Sequence, residues 1–143
     1  MDERTDAEFL AAFRAQSIPQ AAWTHRAHLR AAYLHLCETT FDHALQSMRD
    51  GIKKLNAEHG PVETPGRGYH ETITRAWLTI IASTIESRGR ADSFDAFIAQ
   101  HPHLLSATLL RLYYSPGGMP PQARYEFIPP DLAPLPRSAN AAD

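Results

Sequence analysis

The sequence predicts an all-α protein: a compact helical bundle of five to six helices, with an extended proline-rich C-terminal tail packed on it. Apolar residues recur at helical spacing through most of the first 115 residues, and no segment alternates as a half-buried strand would. With 143 residues, 43% of them hydrophobic, the chain can bury one core. We therefore predict one domain, with a helical part over residues 1–115 and a tail over 116–143.

Capping patterns set the predicted limits of the first three helices. The segment 5–8, Thr-Asp-Ala-Glu, is a capping box that opens the first helix. Pro19 ends it, because the residue before a proline avoids helical dihedral angles. The second helix is expected over about 24–37. The third follows Thr39 or Thr40 and stops at Gly60.

Glycine and proline divide the second half of the chain. Segment 60–68 holds three glycines and two prolines and is predicted to be a loop. A fourth helix is expected over 69–88 and a fifth from Asp92 or Ser93. Pro102 suits the first turn of a sixth helix that ends near Tyr114. Seven of the eleven prolines follow in the tail, which excludes regular helix there, and its last residues are expected to be disordered.

Charge and composition exclude several classes of partner. The formal net charge is −2 with both signs interspersed, so no basic surface for nucleic acid is expected. The longest apolar window, 76–85, is too short to cross a bilayer, and no apolar stretch near the start fits a signal peptide. Cys37 is the only cysteine, which excludes an intramolecular disulfide. A cytoplasmic location without a membrane partner is the expectation.

Three of the eight histidines lie on predicted inward stripes. At 100° per residue, His25 and His28 share a face with apolar residues of the second helix. On the fourth helix, His70 shares a stripe with Thr74. Burying three imidazoles close together is costly unless their ring nitrogens have common partners.

A metal ion is one such common partner. His25, His28 and His70 are predicted to bind one divalent ion, zinc or iron, with an open position for water or substrate. Such a site suits hydrolysis or hydration. Hydrogen bonds from the same histidines to threonine or tyrosine hydroxyls are the alternative. His35 lies two turns from His28, so it could line the pocket without reaching the ion.

Four other residues are candidates for the site. Glu71 could act as a general base, or it could be a solvated glutamate in the first helical turn. Tyr113 and Tyr114 could present hydroxyls to a substrate, with Tyr114 in a catalytic role, or they could pack in the core. Arg124 could bind a carboxylate or phosphate with two hydrogen bonds, or pair with a carboxylate of the tail.

Segments 23–28 and 69–74 resemble a family of small bacterial proteins with an aromatic-x-His-x-x-His and a Tyr-His-x-Thr-x-Thr motif. Tyr-Tyr-Ser at 113–115, Ala-Arg at 123–124 and Pro-Asp at 130–131 follow in the order that the resemblance implies. The resemblance covers most of the chain. It marks positions and implies no reaction, and Glu71 falls on an unspecified position of the second motif.

Two functions are compatible with these features. The first is a metal-dependent enzyme that acts on a small molecule, such as an anion that Arg124 could bind. The second is a metal-free helical module that binds a small ligand or a partner, including a second copy of the chain in a homodimer. A structural or assembly protein without a site is a third hypothesis. The fold favours none of the three, because helical bundles host many unrelated functions.

Overall fold

The all-α bundle predicted from the sequence is confirmed in the computed structural model, which describes residues 3–60 and 68–137. No strand occurs among those residues. The α-helices are α1 (Asp6–Arg14), α2 (His25–Glu38), α3 (Phe41–His59), α4 (Glu71–Arg88) and α5 (Phe94–Gln100). None of the described helices is long and apolar enough to cross a membrane.

Side-chain caps begin α1, α2 and α3 where the sequence predicts them. The Thr5 hydroxyl accepts the backbone N–H of Glu8, whose carboxylate accepts the N–H of Thr5, so the predicted capping box is formed. The Thr24 and Thr40 hydroxyls cap α2 and α3 by accepting the backbone N–H groups of Ala27 and His43. Gly60 ends α3 in the left-handed region, with φ of 88°, as glycine commonly does.

The helices α2, α3 and α4 pack on one another and form the centre of the bundle. The short helix α1 packs against α2 and α3, and α5 packs against α2. The ring of Tyr33 on α2 stacks on that of Phe97 on α5, with centroids 4.3 Å apart. Burial of such large side chains supplies most of the driving force for this packing.

The predicted sixth helix is replaced by two 3₁₀ segments, Pro102–Leu105 and Ala107–Leu112. Ser106 lies between them with extended backbone, ψ 108°. In an α-helix the Leu104 carbonyl would accept the N–H of the residue four positions later. Here it accepts a hydrogen bond from the His25 side chain instead. The chain therefore turns more tightly here than the sequence pattern predicts.

The proline-rich tail packs against α4 with one 3₁₀ turn, Pro121–Arg124. Ala123 in this turn is fully buried, and its carbonyl accepts a hydrogen bond from the buried Thr72 hydroxyl of α4. The tail thus contributes to the bundle, as the sequence predicts. The expectations for a loop over 61–67 and for disorder over 138–143 lie outside the described residues.

Candidate functional site

A pocket of about 290 Å³ lies among α2, α3 and α4. His25 and His28, predicted to act together, both line it, and so does Thr74 from α4. The remaining wall is apolar and consists of Leu29, Ala32, Met48, Ile52, Ile73, Trp77 and Leu78. The two imidazoles and one hydroxyl are therefore the polar groups of an otherwise hydrophobic site, a composition typical of small-molecule pockets.

His28 is held in a defined tautomer. Its Nδ1–H donates to the backbone carbonyl of Thr24, one turn earlier, at 2.8 Å. The imidazole lies against the indole of Trp23, with ring centroids 4.0 Å apart. Burial lowers the pKa of His28, which favours the neutral ring. In that form Nε2 carries a lone pair and can accept a hydrogen bond.

His25 is anchored through its other nitrogen. Its Nε2–H donates to the Leu104 carbonyl at 3.0 Å, and the ring lies 4.8 Å from that of Trp77. In the neutral ring this leaves Nδ1 as an acceptor. The two histidines of the motif thus use opposite nitrogens for support and retain one acceptor each.

His70 takes a different role from the predicted one. It precedes α4 as the N-cap, and its Nδ1 accepts the backbone N–H of Ile73 at 3.1 Å. Its ring does not line the pocket of His25 and His28. Because the Nδ1 lone pair is used in the cap, the neutral ring carries its proton on Nε2, which cannot then bind a metal.

The predicted three-histidine metal centre is therefore not assembled. Across residues 3–60 and 68–137, no three His, Cys, Asp or Glu side chains are placed to hold a metal ion. The donors do not fit a mononuclear zinc or iron site, which needs at least three protein ligands in its usual forms.

His35, predicted to line the pocket, is buried elsewhere. It is 2% exposed, and its Nδ1–H donates to the Ala31 carbonyl at 2.7 Å. Its ring meets the edge of Phe13 on α1, with centroids 5.6 Å apart. His35 therefore joins α2 to α1 and takes no part in the pocket.

Glu71 and Arg124 line a second concave surface, of about 360 Å³, between α3, α4 and the tail. The Glu71 carboxylate accepts two hydrogen bonds from the Arg49 guanidinium, at 2.9 and 2.7 Å, and a third from the Tyr69 hydroxyl. Burial alone would raise the pKa of Glu71, but these hydrogen bonds outweigh it and lower the pKa. Glu71 is therefore a fixed carboxylate away from the histidines, which does not suit a general base.

Arg124 joins the tail to the start of α4. Its Nη1 donates to the carbonyls of Gly68 and Tyr69, at 3.1 and 3.2 Å. The guanidinium also lowers the pKa of His70, in addition to the larger effect of burial. Arg124 thus lies on the same surface as Glu71 and near His70, and does not line the His25–His28 pocket.

The predicted tyrosines fasten the tail. The Tyr114 hydroxyl donates to the Ile128 carbonyl at 2.7 Å, and burial together with Asp131 raises the pKa of this phenol to about 12. The Tyr113 carbonyl accepts the N–H of Leu132 at 2.9 Å. Neither tyrosine lines either concave surface described above.

Sequence reasoning missed the basic residues beside Glu71. Arg49 and Lys53 stand four apart on one face of α3, and Arg75 follows on α4. The ion pair that orders Arg49 joins residues 22 apart in the chain, so a local sequence pattern does not predict it. The i, i+4 spacing of the two basic residues was the one available signal.

Comparisons with known proteins add no identity to this geometry: no protein-family model, curated protein or solved structure matches the chain. The resemblance stated from the motifs remains a prediction. Fold and geometry define a helical bundle that carries an apolar, histidine-bearing pocket and a basic cleft.

Proposed function

We propose that this protein binds a small, mainly apolar organic molecule in the His25–His28 pocket, without a metal ion. One observation carries the proposal. Each imidazole donates one N–H to a backbone carbonyl, which leaves an acceptor nitrogen on each ring beside an apolar wall. A ligand with an N–H or O–H donor on an apolar body complements such a site.

Pocket size and chemistry narrow the ligand class. A volume of about 290 Å³ is close to the lower end for ligand sites, so a small aromatic molecule such as phenol or indole suits it. The lowered pKa of His28 favours its acceptor form at neutral pH, which disfavours ligands that offer only acceptors. Ile73, an apolar wall residue, is 38% exposed and leaves hydrophobic surface next to the pocket.

Metal-dependent catalysis has weaker support. It would need a third protein ligand beside His25 and His28. His70 does not supply this ligand, because its Nδ1 lone pair accepts the backbone N–H of Ile73 in the helix cap. The two remaining imidazoles are oriented by backbone carbonyls, an arrangement that also serves hydrogen bonding to an organic ligand.

The test compares phenol with toluene, which has the same ring without the donor. We expect phenol to bind in NMR titrations, to shift the ring nitrogens of His28, and to bind equally well in the presence of EDTA. His28→Leu removes one acceptor and should weaken phenol binding about fivefold to tenfold, which corresponds to about 1 kcal/mol, with little change for toluene. His43→Leu, at an exposed position of α3, is the matched control.

Three results would contradict the proposal: no phenol binding at millimolar concentration, equal phenol affinity in His28→Leu and His43→Leu, or phenol binding that EDTA abolishes. The last of these would instead favour a metal-dependent site.

A further inference from the structure

The basic cleft on the other side of α4 has no role in the proposed ligand pocket. Four cationic side chains and two carboxylates line it, which gives a formal charge of about +2 for the lining as a whole. These residues are Arg49, Lys53, Arg75, Arg124, Glu71 and Glu126. In a chain whose net charge is −2, this excess of positive charge is local. A concave surface of one sign raises the local concentration of small ions of the opposite sign.

The guanidinium groups of the cleft are held in place before any ligand arrives. Arg49 is fixed by its paired hydrogen bonds to Glu71 and by one to Gln46. The Arg75 guanidinium stacks 4.5 Å from the ring of Phe127. Because these side chains are already ordered, less conformational entropy is lost when an anion binds.

Aromatic side chains accompany the charges. The ammonium of Lys53 lies 5.3 Å from the ring of Tyr69, and Phe127 forms another part of the wall. Tyr125 also lines the cleft and is 76% exposed, an unusual exposure for a large aromatic side chain. Flat apolar surface next to fixed cations suits a ligand that combines a ring with an oxyanion.

We infer that the cleft between α3, α4 and the tail is a second binding site, for a small aromatic molecule that carries a phosphate or carboxylate group. The oxyanion lies among the cations of α3 and α4, and the ring lies against Tyr125 and Phe127. This site is separate from the His25–His28 pocket, so a ligand can bind at either site while the other is empty.

Adjacent lysines provide a matched test by isothermal titration calorimetry. Lys53 lines the cleft, whereas Lys54, also exposed on α3, does not. Phenyl phosphate should bind more tightly than inorganic phosphate, and benzoate should bind more weakly because it carries one charge. Lys53→Gln should weaken phenyl phosphate binding about fivefold, with Lys54→Gln close to wild type. Added NaCl should weaken binding further.

Two further variants keep the test decisive. Arg75→Gln should weaken phenyl phosphate binding at least as much as Lys53→Gln, and His28→Leu should leave it unchanged. Equal affinity in Lys53→Gln and Lys54→Gln, or no binding of phenyl phosphate at millimolar concentration, would overturn the inference. A loss of phenyl phosphate binding in His28→Leu would also overturn it, because the anion would then occupy the other pocket.

Discussion

At the residue scale, the inward histidines differ in which ring nitrogen the backbone uses. His25 donates through Nε2, and His28 through Nδ1, so both retain an acceptor. His70 instead accepts the Ile73 N–H through Nδ1. A motif of histidines predicts where imidazoles lie, but their chemistry depends on backbone partners that are as many as 79 residues away.

Helical spacing predicted the pair and failed for the third histidine for a physical reason. His25 and His28 are three apart within α2, so they share a face wherever that helix packs. His70 was placed by the same arithmetic on a helix expected to begin at residue 69. The helix begins at Glu71, so His70 has extended backbone and helical angles do not apply to it.

His70 should behave as a helix cap whose strength depends on pH. His70→Ala should lower the free energy of unfolding by about 1 kcal/mol at pH 8, and His70→Asn, which also offers a capping acceptor, should recover most of it. Burial and Arg124 lower the pKa of His70 in the folded state. The folded protein therefore resists protonation, and the stability due to His70 is present above its ordinary pKa and declines as pH falls below about 6.5.

Urea unfolding of the three proteins at pH 8 and pH 5 measures this. The gap between wild type and His70→Ala should narrow at pH 5, while the gap between His70→Asn and His70→Ala should stay constant. Equal losses in His70→Ala and His70→Asn at both pH values would show that the imidazole acts by something other than capping.

At the element scale, helix limits follow from local chemistry, whereas helix contacts do not. Caps at Thr5, Thr24 and Thr40 are visible in the sequence and are formed in the structure. Gly51, within α3, has no local reason to be glycine, since glycine weakens a helix interior. Glycine is required here by a tertiary contact, because a Cβ at position 51 would lie too close to the ring of Phe13 on α1.

Gly51→Ala should therefore destabilise the protein despite its better helix propensity. The Phe13 ring has little room to move away from a new Cβ, because it is 1% exposed and packs against Trp23 and His35. Overpacking typically destabilises a protein by about 1–3 kcal/mol, and the better helix propensity of alanine offsets roughly 1 kcal/mol of this. We therefore expect the free energy of unfolding to fall by about 1 kcal/mol.

A double-mutant cycle in urea with Phe13→Leu tests the contact. The smaller side chain should remove most of the penalty of Gly51→Ala. Ser47→Ala, on an exposed part of the same helix, is the control and should be neutral or slightly stabilising. A stabilising Gly51→Ala, or additive effects in the cycle, would contradict the proposed clash.

At the scale of the whole molecule, the Tyr-Tyr-Ser segment at 113–115 and the Pro-Asp segment at 130–131 meet where the tail joins the bundle. Tyr114 of the Tyr-Tyr-Ser segment bonds to the Ile128 carbonyl, and Ser115 bonds to Asp131 of the Pro-Asp segment. The sequence predicted that the tail packs on the bundle, since its apolar residues exceed what a free linker carries. It could not predict these pairings, because they join segments whose spacing only the folded chain defines.

Thr72 of α4 is the centre of this join. The Thr72 side chain is fully buried. Its single O–H lies within hydrogen-bond distance of the Ala123 and Glu126 carbonyls, at 2.7 and 3.0 Å, and its oxygen accepts the N–H of Ile128. Thr72→Val keeps the shape and leaves these backbone groups buried without the hydroxyl, so it should cost about 2 kcal/mol. Thr84→Val is the matched control, because the Thr84 hydroxyl donates to the Ile80 carbonyl within its own helix.

Hydrogen exchange separates the join from general stability. If Thr72 holds the tail, Thr72→Val should accelerate exchange of the Ile128 amide well beyond the change in global unfolding, while amides inside α2 follow the global value. Thr84→Val should leave Ile128 protected. Equal free energies of unfolding for the two variants, with Ile128 still protected in Thr72→Val, would mean that the tail stays in place without this hydroxyl. The tail would then be held by the hydrogen bonds of Tyr114 to Ile128 and of Ser115 to Asp131, which do not involve Thr72.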